Sequence, residues 1–253
     1  MLKYLPFFLL YAVALSAVLA SRGFRGTAAP LAAPGDPAGK RRTRLLIVGA
    51  TGATGRQLVA QALERGYEVT ALVRETSRLP VYHPKLRVVE VDVLDYAAVE
   101  EVVRGQEAVV SALGHKRFLG PTRILSEGTR NLLRAMKAHG VGRFVCVTTL
   151  GIGDSAGRMG IYYTFFVIPL IVPFYFWDKT RQERLIAASD AEWVIVRPGR
   201  LTNGTKRGAC RHGPGVGSFL ATVRVSRADV ADFMLDQVES DAYLRQAPGV
   251  ARG

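Results

Sequence analysis

Between Gly49 and Gly55 the chain reads Gly-Ala-Thr-Gly-Ala-Thr-Gly, and no other feature constrains its fold as tightly. The turn follows an apolar run at residues 45–48 and precedes a helix-period segment at residues 57–64. A pyrophosphate can reach backbone N–H groups at a helix N-terminus only where no side chain stands in the way. Gly49, Gly52 and Gly55, with Thr51, Ala53 and Thr54 between and beside them, meet that need in the order strand, turn, helix. The spacing is Gly-x-x-Gly-x-x-Gly, distinct from the Gly-x-Gly-x-x-Gly of dehydrogenases in general.

Beyond the turn the chain alternates short apolar runs with amphipathic segments, the pattern of a parallel sheet covered by helices on both faces. Strands are predicted at residues 45–48, 68–73, 86–91, 108–112, 144–148 and 193–196, and helices at 57–64, 97–104, 124–138 and 178–188. Ser226 with Asp229 three residues later is a capping box that opens a last helix, running through Val238. No repeat of solenoid type is present. These elements predict an α/β fold, a Rossmann-type doubly wound parallel sheet in one domain over residues 44–253.

The second predicted strand decides between two cofactors. A carboxylate about twenty residues beyond the glycines accepts from the ribose 2′-hydroxyl of NAD. Here Val73 is followed by Arg74, a guanidinium suited to a 2′-phosphate, with Arg78 placed to assist. Glu75, next to Arg74, works in the opposite sense. The expectation is NADP(H) in preference to NAD(H).

Charge and cysteine content narrow the remaining classes. Lys and Arg outnumber Asp and Glu by 34 to 21, for a net charge of +13. Seven of those cations stand in the first 44 residues against one acid, Asp36, so that segment carries +6 of the total. With no zinc-finger spacing or RNA-binding aromatic signature, nucleic acid is not an expected partner and no metal site is expected. Cys146 and Cys210 make no disulfide framework.

Two apolar stretches point to a membrane. Residues 4–20 carry no charge, follow Lys3 and precede a basic segment rich in Ala, Gly and Pro, here read as a linker over 21–43. They fit an N-terminal hydrophobic helix that anchors the domain on the cytoplasmic side, the basic C-terminal flank biasing that side inward. They also fit a signal segment, or a cleaved leader for an organelle. Residues 159–177 are likewise uncharged and are interrupted by Pro169 and Pro173. A membrane crossing there would divide the sheet, which leaves a buried lid or a surface that dips into a bilayer.

Several segments together carry a family resemblance: the turn Gly49 to Gly55, residues 72–80, Asp92-Val93-Leu94, residues 126–131 and residues 135–141. The chain resembles the atypical short-chain dehydrogenase/reductases, in particular the NmrA-like and flavin reductase/biliverdin-IXβ reductase group. The resemblance runs from about Arg44 to Val238 and is strongest up to Thr149. It implies that Asp92 and Val93 meet the adenine, and that Ala112, Leu113 and Gly114 line the cofactor. It further implies that Thr148 and Thr149 end a strand beside the nicotinamide, with Arg197-Pro198-Gly199 closing over it. Lys179 would lie in the pocket, facing an anionic substrate or a proton transfer.

Tyr175 and Lys179 have the Tyr-x-x-x-Lys spacing by which a lysine assists a proton-shuttling phenol, although the atypical group generally lacks that pair. Thr149, Lys179 and Tyr175 are therefore the catalytic candidates. Flavin and biliverdin reductases carry histidine where this chain has Lys179 and Arg200, so their substrate choice does not transfer. The expected acceptor is small, apolar and conjugated, flavin-like or quinone-like. The alternative is a non-catalytic NADP(H) sensor or assembly factor attached to the membrane.

Overall fold

A computed structural model describes residues 42–115 and 120–253. The strands are β1 (Arg44–Val48), β2 (Glu68–Val73), β3 (Leu86–Glu90), β4 (Ala108–Ser111), β5 (Arg143–Val147), β6 (Glu192–Pro198), β7 (Arg200–Thr202), β8 (Cys210–Gly213), β9 (Arg224–Ser226) and β10 (Gly249–Arg252). The α-helices are α1 (Ala53–Glu64), α2 (Tyr96–Val103), α3 (Ile124–Ala138), α4 (Pro173–Ala187) and α5 (Arg227–Glu239).

Eight strands form one sheet in the order β3-β2-β1-β4-β5-β6-β10-β8, parallel throughout except where β8 pairs antiparallel to β10. Alternation along β1 shows why its sequence is apolar without interruption. Leu45 and Ile47 join the cluster beneath α1 and α5, whereas Leu46 and Val48 join the cluster beneath α2, α3 and α4. Both faces are covered, so no position on the strand is left for a polar residue. The chain order reverses between β1 and β4, which opens a crevice beyond their C-terminal ends.

The doubly wound sheet agrees with the sequence, and the differences have local causes. Helix α1 begins at Ala53, inside the glycine turn and four residues before the first expected helical position, because Gly52 already serves as its N-cap. The capping box forms as expected: Ser226 Oγ accepts from Asp229 N at 2.9 Å. Strands β7 to β10 carried no apolar run long enough to be read. Arg42, expected in the linker, is buried and donates to Val238 O at 2.8 Å and to Glu192 at 2.7 Å, so the packed unit includes it. The expected hydrophobic helix at residues 4–20, and the rest of the leader to residue 41, lie outside the described residues.

The second apolar stretch is not a spanning element; among the described residues no helix is long and apolar enough to cross a membrane. It folds instead as a nine-residue π-helix, Tyr163–Ile171, followed by α4, which starts at Pro173 rather than at the expected Asp178. Pro173 sits at the first helical position, where its missing N–H is harmless. The i→i+5 pattern closes with Val172 N on Val167 O at 3.1 Å.

Helix α3 has no cap of its own, since its N-cap residue, Arg123, makes no side-chain hydrogen bond to the helix. Asp178 of α4 supplies the acceptor: Leu125 N and Ser126 N donate to its carboxylate at 3.0 and 3.1 Å, and Thr122 Oγ1 adds a third bond. Replacing Asp178 by Ala would leave two buried N–H groups unpaired. The expected loss is about 2–4 kcal/mol in urea unfolding, with Asp178→Asn losing less.

Candidate dinucleotide site

The glycine turn abuts the end of β4 at the crevice. Gly49 has φ +79°, and a Cβ there would stand 2.6 Å from Ala112 O. At Gly55 a Cβ would stand 2.1 Å from Gly49 O, so α1 can start this close to β1 only with glycine. Gly52 differs from both. A Cβ there would stand 3.2 Å from Gly49 O, a tight approach without the overlap met at the other two. Gly52 provides no side-chain cap, and no acid occupies the first turn of α1. The first-turn N–H groups of Ala53, Thr54 and Gly55 therefore face the crevice without an intrahelical acceptor, as an anion site requires. Ala53 is exposed, Thr54 buried and Thr51 half-buried.

Arg56, absent from the residues expected at the site, braces this turn. Its Nε donates to Thr51 O at 3.2 Å and its Nη2 to Arg78 O at 2.6 Å, tying the turn to the loop after β2. In that loop Arg74 and Arg78 are both exposed. Glu75 is turned aside, its carboxylate accepting from Ser77 Oγ at 2.7 Å. Asp92 is exposed and accepts from Leu94 N at 3.0 Å, whereas Val93 points into the core against Gly128. The Val93 side chain is thus buried, and only its backbone could face the crevice.

Across the crevice, Leu113 and Gly114 continue from Ala112. Gly114 is exposed, and a Cβ on it would stand 3.8 Å from Tyr175 Oη. Tyr175 makes an edge contact with His115, ring centroids 5.1 Å apart, and His115 Nε2 shares a hydrogen bond with Thr122 Oγ1 at 2.9 Å. His115 has no motif around it, and only the packing of α4 on the β4 loop reveals it.

Lys179 is placed differently from a pocket lysine that faces substrate. It is buried, and its ammonium donates to Leu113 O at 3.3 Å, Val147 O at 3.0 Å and Gln182 Oε1 at 3.0 Å. Those three bonds use the three protons of the group. The ammonium lies 5.8 Å from the Tyr175 ring centroid.

Thr148 is buried too, donating from Oγ1 to Glu183 at 2.5 Å. Glu183 also receives two bonds from Arg197, at 3.0 and 2.7 Å, and Arg197 reaches on to Asp154 at 2.5 Å. Burial alone would lower the Arg197 pKa, but the Glu183 and Asp154 contacts outweigh it and the net direction is upward. Arg197 thus belongs to an internal ion network. Pro198, buried at the end of β6, accepts from Leu150 N at 3.0 Å. Of the residues at the end of β5, Thr149 is the one left half-exposed, with Oγ1 on Leu150 O at 2.9 Å.

The two cysteines are free. Burial pushes the Cys146 thiol up to about 11, against the influence of Lys179. Burial, with Asp229 and Asp232 nearby, pushes Cys210 up to about 11 as well.

A parallel sheet with an uncapped, glycine-lined helix end at its switch point defines a dinucleotide-binding protein. A family described as NAD(P)H-binding matches residues 49–241, and the chain belongs to it. A chloroplast protein of Arabidopsis thaliana is 30% identical over 175 residues, 63% of this chain and 60% of its own length. The 3-diazoavenalumate denitrifying reductase of a Streptomyces species is 34% identical over 192 residues, 69% of this chain and 58% of its own. The chain thus spans about three fifths of the length of these curated relatives. In fold it is similar to a short-chain dehydrogenase/reductase from Veillonella parvula solved in complex with NADP. The TM-score is 0.71 at 18% identity, covering 84% of this chain and 95% of that one.

The placement of these side chains sets two expected outcomes. Lys179→Ala strips donors from the Leu113 and Val147 carbonyls and from Gln182, so it lowers stability by about 2–4 kcal/mol, read by denaturant midpoint. At pH 8, below the raised thiol pKa values, both cysteines are protonated. Their reaction with a disulfide reagent is then at least about tenfold slower in the native chain than in the unfolded one.

Proposed function

We propose that the protein is an NADPH-dependent oxidoreductase that reduces a small apolar, conjugated acceptor of flavin-like or quinone-like character. The observation that carries this reading is the open end of α1 under Gly52, lined by two glycines that no other residue can replace. The first-turn N–H groups of α1 would hold the pyrophosphate. Arg74 and Arg78, exposed beyond β2 while Glu75 is engaged with Ser77, would pair with a 2′-phosphate. Asp92 and the Val93 backbone would meet the adenosine, and Ala112 to Gly114, Thr149 and Pro198 would border the nicotinamide, whose chemistry when bound is hydride donation.

Tyr175 and His115 stand beside Gly114 and, among the described residues, are groups able to hold a proton next to the acceptor. Lys179 acts behind them as a positioning residue, fixing α4 against β4 and β5. The reductase named among the relatives supports the redox reading. The chloroplast relative supports organelle delivery as the role of the leader.

A second reading, a redox-sensing or assembly protein that binds NADP(H) without turnover, is favoured by one observation: all three Lys179 protons are engaged, which removes the lysine partner from the Tyr-x-x-x-Lys relay. One experiment separates the two. The full chain is expected to show a raised thermal midpoint with NADPH and to oxidise it, at 340 nm, when offered flavins and quinones. Arg74→Asp is expected to cut the NADPH-over-NADH preference about tenfold or more. Binding without oxidation across the acceptor panel overturns the reductase reading in favour of the sensor. No binding overturns both.

A further inference from the structure

The π-helix and the first turns of α4 leave an apolar face uncovered. Tyr162, Phe166 and Leu170 recur every four residues along the π-helix and are exposed, and beyond the break at Val172 Phe174 and Trp177 of α4 are exposed as well. The Tyr162 and Phe166 rings stack at 6.1 Å. A second segment packs beside the π-helix. Gly160, φ +88°, lies so close to Ala221 that a Cβ would stand 2.8 Å from its carbonyl carbon, and Phe165 meets Phe219 edge-on at 6.4 Å. Leu220, 76% exposed, is thereby held beside the helix. An apolar surface of this extent on a domain whose other large side chains are mostly buried marks a binding face.

Its charge identifies the occupant. Arg158 precedes the stretch, half-exposed and donating from its guanidinium to Pro214 O, and Arg181 follows it, its guanidinium 5.0 Å over the Trp177 ring. The neighbouring acids along the chain are engaged elsewhere. Asp154, the nearest acid before the stretch, is paired with Arg197, and Asp178, the nearest after it, is buried as the cap of α3. Apolar side chains with Tyr and Trp among them and a cationic rim match the interfacial zone of an anionic bilayer. The leader precedes β1, at the opposite end of the parallel strands from the loop after β5 that carries this face.

We propose that this face, Tyr162 to Trp177 with Leu220, docks the protein on the surface of an anionic lipid bilayer. Tyr175 lies within the docking stretch yet turns to Gly114 and His115, so docking holds the mouth of the crevice against the lipid phase, where an apolar acceptor would partition. Docking itself does not depend on turnover, and its test is separate from that of the enzymatic reading.

The chain contains two tryptophans, Trp177 in the face and Trp193 buried on β6, so Trp193→Phe leaves Trp177 as sole reporter. The full chain carrying that change is mixed with vesicles of phosphatidylcholine and about 30% phosphatidylglycerol, with or without brominated acyl chains. Trp177 emission is expected to shift to the blue and to be quenched by the brominated lipid. Phe166→Ser with Leu170→Ser, both at exposed positions, is expected to weaken this at least about tenfold while the NADPH-induced thermal shift persists. Arg181→Gln is expected to weaken binding to the anionic vesicles about fivefold, with little change on neutral ones. Vesicle binding that leaves Trp177 unshifted and unquenched overturns the proposal and assigns attachment to the leader. A lipid-free dimer that Phe166→Ser with Leu170→Ser turns into a monomer, with no quenching of the parent, overturns it in favour of self-association.

Discussion

One buried polar stripe along α4 sets the position of everything around the crevice. Asp178, Lys179, Gln182 and Glu183 all face inward, and together they engage α3, the β4 loop and the ends of β5 and β6. Asp178 caps α3, Lys179 joins the β4 loop to the end of β5, Gln182 donates to Thr129 on α3 at 2.9 Å, and Glu183 binds Thr148 and Arg197. Buried polar groups are costly unless all are satisfied, so the stripe admits one docking position for α4. That position in turn brings Tyr175 to Gly114 and leaves the preceding turn of α4 and the π-helix at the edge of the crevice.

The opposite wall of the crevice is built by a different principle. Around Gly49 and Gly55 there are no side chains to satisfy; the constraint is the distance between backbones, which only glycine permits. One wall is therefore fixed by contact geometry and offers unpaired N–H groups. The other is fixed by a hydrogen-bonded network and offers aromatic and imidazole groups. A dinucleotide suits such a site because its phosphates need the first wall and its reactive ring an environment like the second.

The residues between β5 and α4 show how one composition serves two demands. Their apolar character, read alone, allows a core, a lid or a membrane segment. The fold uses part of it to pack Met159, Ile152 and Leu150 beneath the loop, and exposes the remainder. Pro169 within the stretch deprives a regular α-helix of a donor, and the chain there takes the wider π form.

Much of the architecture is legible from local signals. The apolar runs of β1, β2, β4, β5 and β6, the glycine turn and the Ser226 cap are of this kind, because strand burial, backbone clearance and capping each act within a few residues. Arg74 is legible for the same reason, as a residue at the end of a readable strand. Lys179 and Thr148 stand out as residues but not in their surroundings. Whether a lysine faces a cleft or three buried acceptors is set by segments 32 and 66 positions away. Arg56, His115 and the tertiary cap from Asp178 carry no local signal at all. Periodicity and sterics, both written into the order of residues, suffice for a doubly wound sheet with a phosphate turn. Which polar residues hold the helices to the sheet and which stay free in the crevice is settled only on packing, because hydrogen-bond partners distant in sequence become neighbours only then.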